Sequence, residues 1–318
     1  MSETGKDIEL ASQLLSQGRL VAIPTETVYG LAANALDEKA VLSIFEAKKR
    51  PFFDPLIVHV HSTQAVTRYA TFTDERLQKL AAQFWPGPLT ILLPKKNIIP
   101  AIVTSGLDHV AIRIPRHPLT LKLLEKIDLP LAAPSANPFG YVSPTRPEHV
   151  ARQLGNKIDY ILDGGDCTVG IESTIVGIEN NRVCIFRLGG LAPEAIEKIT
   201  GRVELKLSVS SDPRAPGQLQ QHYATRKSLY FGNLDELIKK HHDKKIALIV
   251  FGENTVPSAT NIQIYNLSEK GDLNEAALNL FSIMRQADES DSDVVIATHV
   301  PDEGLGKAIN DRLGRASA

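Results

Sequence analysis

Six short segments of the 318-residue chain combine hydroxyls, amides and cations with small or turn-forming neighbours, the residue types that hold a polyanionic ligand. Thr25-Glu26-Thr27-Val28-Tyr29-Gly30 follows an apolar run that ends at Pro24, so its hydroxyls sit at a strand end. Lys48-Lys49-Arg50-Pro51 closes a helical stretch. There arginine presents a planar fork to phosphate or carboxylate, and lysine adds a point charge. Ala132-Ala133-Pro134-Ser135-Ala136-Asn137-Pro138 sets two short polar side chains among residues small enough for close backbone approach, and Ser143-Pro144-Thr145 follows it. Gly170-Ile171-Glu172-Ser173-Thr174 is another glycine-then-hydroxyl turn, and Arg187-Leu188-Gly189-Gly190 puts an arginine beside a flexible glycine pair. Each also has a purely structural reading. Cations complement a helix C-terminus, Asn137 suits an Asx turn, and Ser143 can cap the next segment.

Other chemistries are missing. The chain has no Gly-x4-Gly-Lys-Ser/Thr phosphate loop, no Gly-x-Gly-x-x-Gly fingerprint, no His-Glu-x-x-His helix and no Gly-x-Ser-x-Gly elbow. Its two cysteines, Cys167 and Cys184, are too few for a disulfide scaffold or a Cys-rich metal site. Thirty-five Lys and Arg stand against 37 Asp and Glu, a net charge of −2, and residues 1–200 hold 21 of each sign. Bulk attraction to nucleic acid is therefore not the design. The start, MSETGKDIELASQLL, lacks the apolar core of a signal peptide, and no stretch approaches 18 uninterrupted apolar residues. A cytoplasmic protein without membrane association is expected.

Positioning these segments takes alternating strands and helices. Ile8, Leu10, Ala11, Leu14 and Leu15 recur on a helical period over 6–18, and 19–23 reads as a buried strand. Helices are expected over 38–49, 74–84 and 149–154. Strands are expected over 56–60, 90–93, 110–114, 131–133, 160–162 and 173–178. Such mixing, with many prolines, indicates an α/β fold with an open sheet rather than a barrel. Near residue 200 the composition changes. Residues 201–228 are polar and turn-rich and read as a linker, after which strands over 246–251 and 294–297 and helices over 273–287 and 306–316 form a second pattern. The organisation expected is a first domain over 1–200, a linker over 201–228 and a C-terminal α/β domain over 229–318. The charged run 239–245 reads as a solvated surface segment.

Taken in order, several motifs resemble the threonylcarbamoyl-AMP synthase family, the YrdC-like fold in its long two-domain form. They are IPTETVYGLAANA (23–35), FEAKKRP (45–51), DPLIVHV (54–60), FWPGPLT (84–90), VAIRIPRHP (110–118), APSANPFGYVSPT (133–145), GIESTIV (170–176), RLGG (187–190), PGQLQQHYAT (216–225) and VPDEGLGKAINDRLGRA (300–316). No single motif decides, but together they span nearly the whole chain. The resemblance implies a YrdC-like twisted open sheet with a concave cavity and a smaller, Rossmann-like C-terminal domain. It implies a nucleotidyltransferase reaction in which ATP, L-threonine and bicarbonate give L-threonylcarbamoyl-AMP, diphosphate and water. Mg²⁺ would be held through the ATP phosphates rather than by a protein metal site. The product would serve N6-threonylcarbamoyladenosine formation beside the tRNA anticodon, completed by a partner transferase complex.

Carried over residue by residue, the resemblance assigns threonine binding to Thr27, His59, Arg113, Ala133 and Ser173. It assigns ATP binding to Arg50, Asp54, Ser135, Ser143, Arg187 and Tyr223, and the family's basic–polar tetrad to Lys48, Arg50, Ser135 and Asn137. This chain has Asp54 where the family often has asparagine, and Gln218-Leu219 where Met-Lys is commoner. The linker motif around Tyr223 is expected to fold over the cavity as a lid. The rival readings are a carbamoyltransferase subunit, disfavoured by the low cysteine count, and an RNA-binding or ribosome-associated module. Against the latter stand the even charge balance and 6% aromatic content.

Overall fold

Short side chains that accept from backbone N–H groups start six of the helices among the described residues. The computed structural model describes residues 2–207, 215–216, 223–253 and 260–317. In it, Asp7 caps Ile8–Ser16, Asp37 caps Glu38–Lys48, Ser62 caps Thr63–Tyr69 and Asp74 caps Glu75–Phe84. Val41, Ile44 and Phe45 then turn the second helix's apolar stripe into the core.

Eleven strands among the described residues form the first sheet. In spatial order they are Glu3–Gly5, Tyr160–Leu162, Val21–Ile23, Gly30–Asn34, Leu131–Ala132, Ile57–His59, His109–Arg113, Leu89–Pro94, Thr174–Glu179, Arg182–Arg187 and Glu204–Leu205. Strand alternation divides the faces. Val58, Ile91, Ile112 and Val176 enter the main core, while Ile57, Leu92, Ala111, Ile175 and Phe186 form a smaller cluster on the opposite side. The site lies on that second side. Beyond it, Leu229–Phe231, Val294–Ala297, Ile246–Val250 and Ile262–Asn266 form a four-stranded, all-parallel sheet. Leu234 to Ile238 cover one of its faces, and the helices Leu273–Glu289 and Gly306–Ala316 cover the other. This is the Rossmann-like α/β layering expected of the C-terminal part. No helix among the described residues is long and apolar enough to cross a membrane.

Several elements escape the sequence pattern. Gly30–Asn34 is built of weak strand formers, and its pairing with Val21–Ile23 and Leu131–Ala132 supplies what its propensity lacks. Thr174–Glu179 and Arg182–Arg187 form a hairpin across Asn180 and Asn181, both at positive φ, as a tight primed turn requires. The turn-rich stretch after residue 200 begins by adding Glu204–Leu205 to the sheet edge. The solvated reading of 239–245 fails at His241, which is buried with its ring 4.3 Å from that of Tyr230. The lid expected from 201–228 rests mainly on 208–214 and 217–222, which lie outside the described residues. Between them, Ala215 joins the cluster of Ile57 and Phe186.

Candidate active site

Register brings the polar ends of neighbouring strands to one place. His59 stands opposite Arg113 in a parallel pair, and Arg113 stands opposite Thr90 in an antiparallel one. Thr90 Oγ1 lies 2.7 Å from Ser173 Oγ, and Arg187 donates to Ser173 through Nε to the carbonyl and Nη2 to the hydroxyl, both at 3.0 Å. On the other flank, Gly30 bridges Ser135, and a Cβ at Gly30 would meet that of Ala133 at 3.2 Å. A glycine there lets these two segments close together without displacing Ala133. The result is a cavity of about 50 Å³, lined by residues that include Thr25, Arg50, His59, Arg113, Ser135, Glu172, Arg187 and Pro216.

Three buried arginines dominate it, and each is held. Arg50 donates to the carbonyls of Asp54 (3.1 Å) and Pro55 (2.8 Å) and meets the Asp54 carboxylate at 2.8 Å. Arg113 donates to the Gly87 carbonyl at 3.3 Å and lies 2.8 Å from Glu26. Burial lowers the guanidinium pKa of Arg50, and that of Arg187 to about 10. Burial, then the adjacent Arg113, brings His59 down to about 3, so its imidazole is neutral. Glu172 is pushed up by burial, but Arg312 and Arg187 outweigh that and hold it below the usual carboxylate range. Glu26, Asp54 and Glu172 are thus each engaged by an arginine. Preorganised donors in a water-poor pocket suit a ligand with a carboxylate and phosphates.

The sequence-assigned residues fall into two layers. Arg50, His59, Arg113, Ala133, Ser135 and Arg187 line the cavity. Among the described residues, the other seven stand behind it, each tied to the wall. Thr27 Oγ1 lies 2.8 Å from Thr25 Oγ1. Lys48 Nζ donates to the carbonyls of Ser135 (2.6 Å) and Asn137. Asp54 pairs with Arg50, and the Asn137 backbone N–H donates to the Ser135 carbonyl at 3.0 Å. Ser143 Oγ donates to Glu172 Oε1 at 2.6 Å, and Ser173 bonds Arg187. The Tyr223 ring lies 5.1 Å from the Arg312 guanidinium and stacks on Phe281 at 5.4 Å. Sequence reasoning passed over Glu26, Glu172 and Arg312. Glu26 and Glu172 sit inside the motifs Thr-Glu-Thr and Gly-Ile-Glu-Ser-Thr, where the carboxylate was the available signal. Arg312 had none.

Comparison with known proteins agrees with this architecture. Residues 13–189 match the Sua5–YciO–YrdC family model, described as telomere recombination. Residues 191–318 match the model described as threonylcarbamoyl-AMP synthase, C-terminal domain. The threonylcarbamoyl-AMP synthase of Pyrococcus abyssi is 40% identical over 98% of this chain and 94% of its own. That of Bacillus subtilis is 37% identical over 100% and 94%. The crystal structure of P. abyssi Sua5 complexed with L-threonine is similar at a TM-score of 0.91 and 39% identity, covering 100% of this chain and 97% of that one. E. coli YciO, 20% identical with a TM-score of 0.54 over 59% of this chain and 96% of its own, shares the fold of the first domain.

Proposed function

This chain belongs to the threonylcarbamoyl-AMP synthase family in its two-domain form, and from that premise we propose that it joins L-threonine, bicarbonate and ATP into L-threonylcarbamoyl-AMP, releasing diphosphate and water. The observation that carries the reading is the convergence of Arg113 and Arg187, from two strands, and of Arg50, from the turn after the helix Glu38–Lys48, on one cavity that Ser135 also lines.

The chemistry asks for orientation and charge stabilisation rather than a protein nucleophile. The threonine nitrogen forms a bond to the bicarbonate carbon as water leaves, giving a carbamate. A carbamate oxygen then bonds the α-phosphorus, and the bond to the β-phosphate bridging oxygen breaks with its electron pair on diphosphate. Arg113 pairs with the amino-acid carboxylate, while Thr27, His59, Ala133 and Ser173 shape the space around the amine and hydroxyl. Arg50 and Arg187 receive phosphate oxygens, supported by Asp54 and Ser143, with Ser135 as the short donor between them. Tyr223 serves the nucleotide side from the linker. Neutral His59 is a hydrogen-bonding wall at ordinary pH, not an acid.

The donor set fits Mg²⁺ as an ion carried by the nucleotide, because the carboxylates of the described wall are already engaged by Arg113, Arg50 and Arg312. Phosphate oxygens and water would hold it, and it would neutralise charge on the departing diphosphate. The labile adenylate is consumed in the cytoplasm by a transferase complex that modifies the tRNA adenosine. A diphosphate-release assay tests the core of this reading. Release should require ATP, bicarbonate and L-threonine together, and release that ignores L-threonine would overturn it.

A further inference from the structure

We infer that Arg312, on the last helix of the C-terminal domain, is a positioning residue for the nucleotide wall and acts through Glu172. The inference rests on the function proposed above and gives the second domain a part in it.

Glu172 lines the cavity, and its two oxygens face different domains. Oε1 accepts from Ser143 Oγ at 2.6 Å, while Oε2 accepts from Arg312 Nε at 3.1 Å. Arg312 Nη2 also donates to the Leu188 carbonyl at 2.6 Å, next to Arg187, and Nη1 meets Asp311 at 2.5 Å. The guanidinium is fully buried and lies against the Tyr223 ring. One fork therefore touches the Glu172 turn, the Arg187 turn and the end of the linker. A lysine supplies the charge but not the three directions.

The surrounding contacts make this fork a fixed strut. Gly170, at φ +84°, has no room for a side chain, since a Cβ there would lie 2.4 Å from Leu278 Cα on the second domain's long helix. Thr145 and Ser282 hydroxyls meet at 3.2 Å, and Arg285 donates to the Val142 carbonyl. Both turns that carry Ser143 and Glu172 are thus pressed against the second domain. Charge completes the argument. Glu172 lies between Arg312 and Arg187, with Ser143 and Tyr223 beside it. With Arg312 in place, its charge is matched and Arg187 stays available to a phosphate. Without Arg312, the buried carboxylate turns on Arg187 and competes with the nucleotide.

Calorimetric titration of Mg-ATP and of L-threonine into the full chain, alongside steady-state kinetics, tests this. Arg312→Gln should weaken ATP about tenfold or more while L-threonine shifts by less than about threefold. Arg312→Lys should recover part of the loss. Lys307→Gln, which removes an interdomain ion pair with Glu194 away from the cavity, should leave both ligands unchanged. Should Arg312→Gln fail to fold, Glu172→Gln/Arg312→Gln removes both charges at once. That double variant should bind ATP no worse than Glu172→Gln alone. Unchanged ATP affinity with only a lowered melting temperature, or losses that multiply in the double variant, would overturn the inference. If the wild type binds ATP but shows no threonine-dependent diphosphate release, the functional reading falls while the ATP titrations still decide the role of Arg312. If it binds no ATP, both fall.

Discussion

Arg113 and Glu26 face each other at 2.8 Å with both side chains buried, and the other Glu26 oxygen accepts the Arg116 backbone N–H at 2.9 Å. The carboxylate is tied on one side and aims the guanidinium on the other. Arg113 therefore reaches the cavity already oriented, between Glu26 and the Gly87 carbonyl. Truncating one partner of a buried charge pair, here the pair Arg113 would make with the amino-acid carboxylate, costs about 2–5 kcal/mol. Arg113→Ala should accordingly weaken L-threonine far more than ATP, read by titrating each ligand separately. Equal losses for both would mean that Arg113 holds the fold rather than the amino acid.

The same reasoning separates arginine from lysine at position 50. Arg50 uses Nε on the Asp54 carbonyl and Nη2 on both the Pro55 carbonyl and the Asp54 carboxylate. An ammonium keeps the charge and loses the fork. Arg50→Lys should therefore lower turnover by roughly 10²-fold or more, the usual effect of removing one preorganised donor. Wild-type rates in both Arg50→Lys and Ser135→Ala would place the nucleotide elsewhere.

His59 sets an acid limit on stability. Its ordinary value near 6.5 falls to about 3 in the folded chain, so protonation favours the unfolded state. Stability should decline as pH drops below about 6.5, at up to about 1.4 kcal/mol per pH unit for a buried imidazole, until about pH 3. His149, also at about 3 but only half-buried, accepts from the Thr145 backbone N–H at 3.3 Å and adds a smaller part in the same window. Thermal unfolding between pH 7.5 and 5.5 reads the slope. His59→Gln should flatten it, and an unchanged slope would assign the acid sensitivity to other groups.

What the sequence made legible divides along the distance between partners. Arg50, Ser135 and Arg187 are marked locally as a cation or hydroxyl beside proline or glycine, but each segment also has a structural reading, and only their succession along the chain singles them out. The meeting of His59 with Arg113 depends on parallel register between strands distant in the chain, and only the family resemblance supplied it. Glu26 and Glu172 look repulsive in a pocket for anions until their arginines are seen. Arg312 is separated from Glu172 by 140 residues. The helix over 38–49 was readable from its period, and the structure adds the Asp37 cap. Gly30–Asn34 was not, since its strand character comes from its neighbours.

Lys48 and Ser135 belong to one motif but should fail in different ways. Lys48 is fully buried, and its ammonium serves the carbonyls of Ser135 and Asn137 rather than the cavity. The Asn137 side-chain amide likewise donates to the Pro138 and Tyr141 carbonyls, at 2.9 and 2.8 Å. These two residues build the turn, while Ser135 lines the cavity. Lys48→Met keeps much of the volume but leaves the Asn137 carbonyl without its donor and the Ser135 carbonyl with only the Asn137 backbone N–H, at about 1–3 kcal/mol for the buried group left unsatisfied. It should lower the melting temperature by several degrees and reduce turnover through the displaced turn. Ser135→Ala removes a hydroxyl with no protein partner among the described residues, so it should leave the melting temperature near wild type and lower ATP affinity. Paired melting curves and ATP titrations on the two variants check the division. A stable Lys48→Met protein that has lost only turnover would instead put the lysine in contact with the reacting groups.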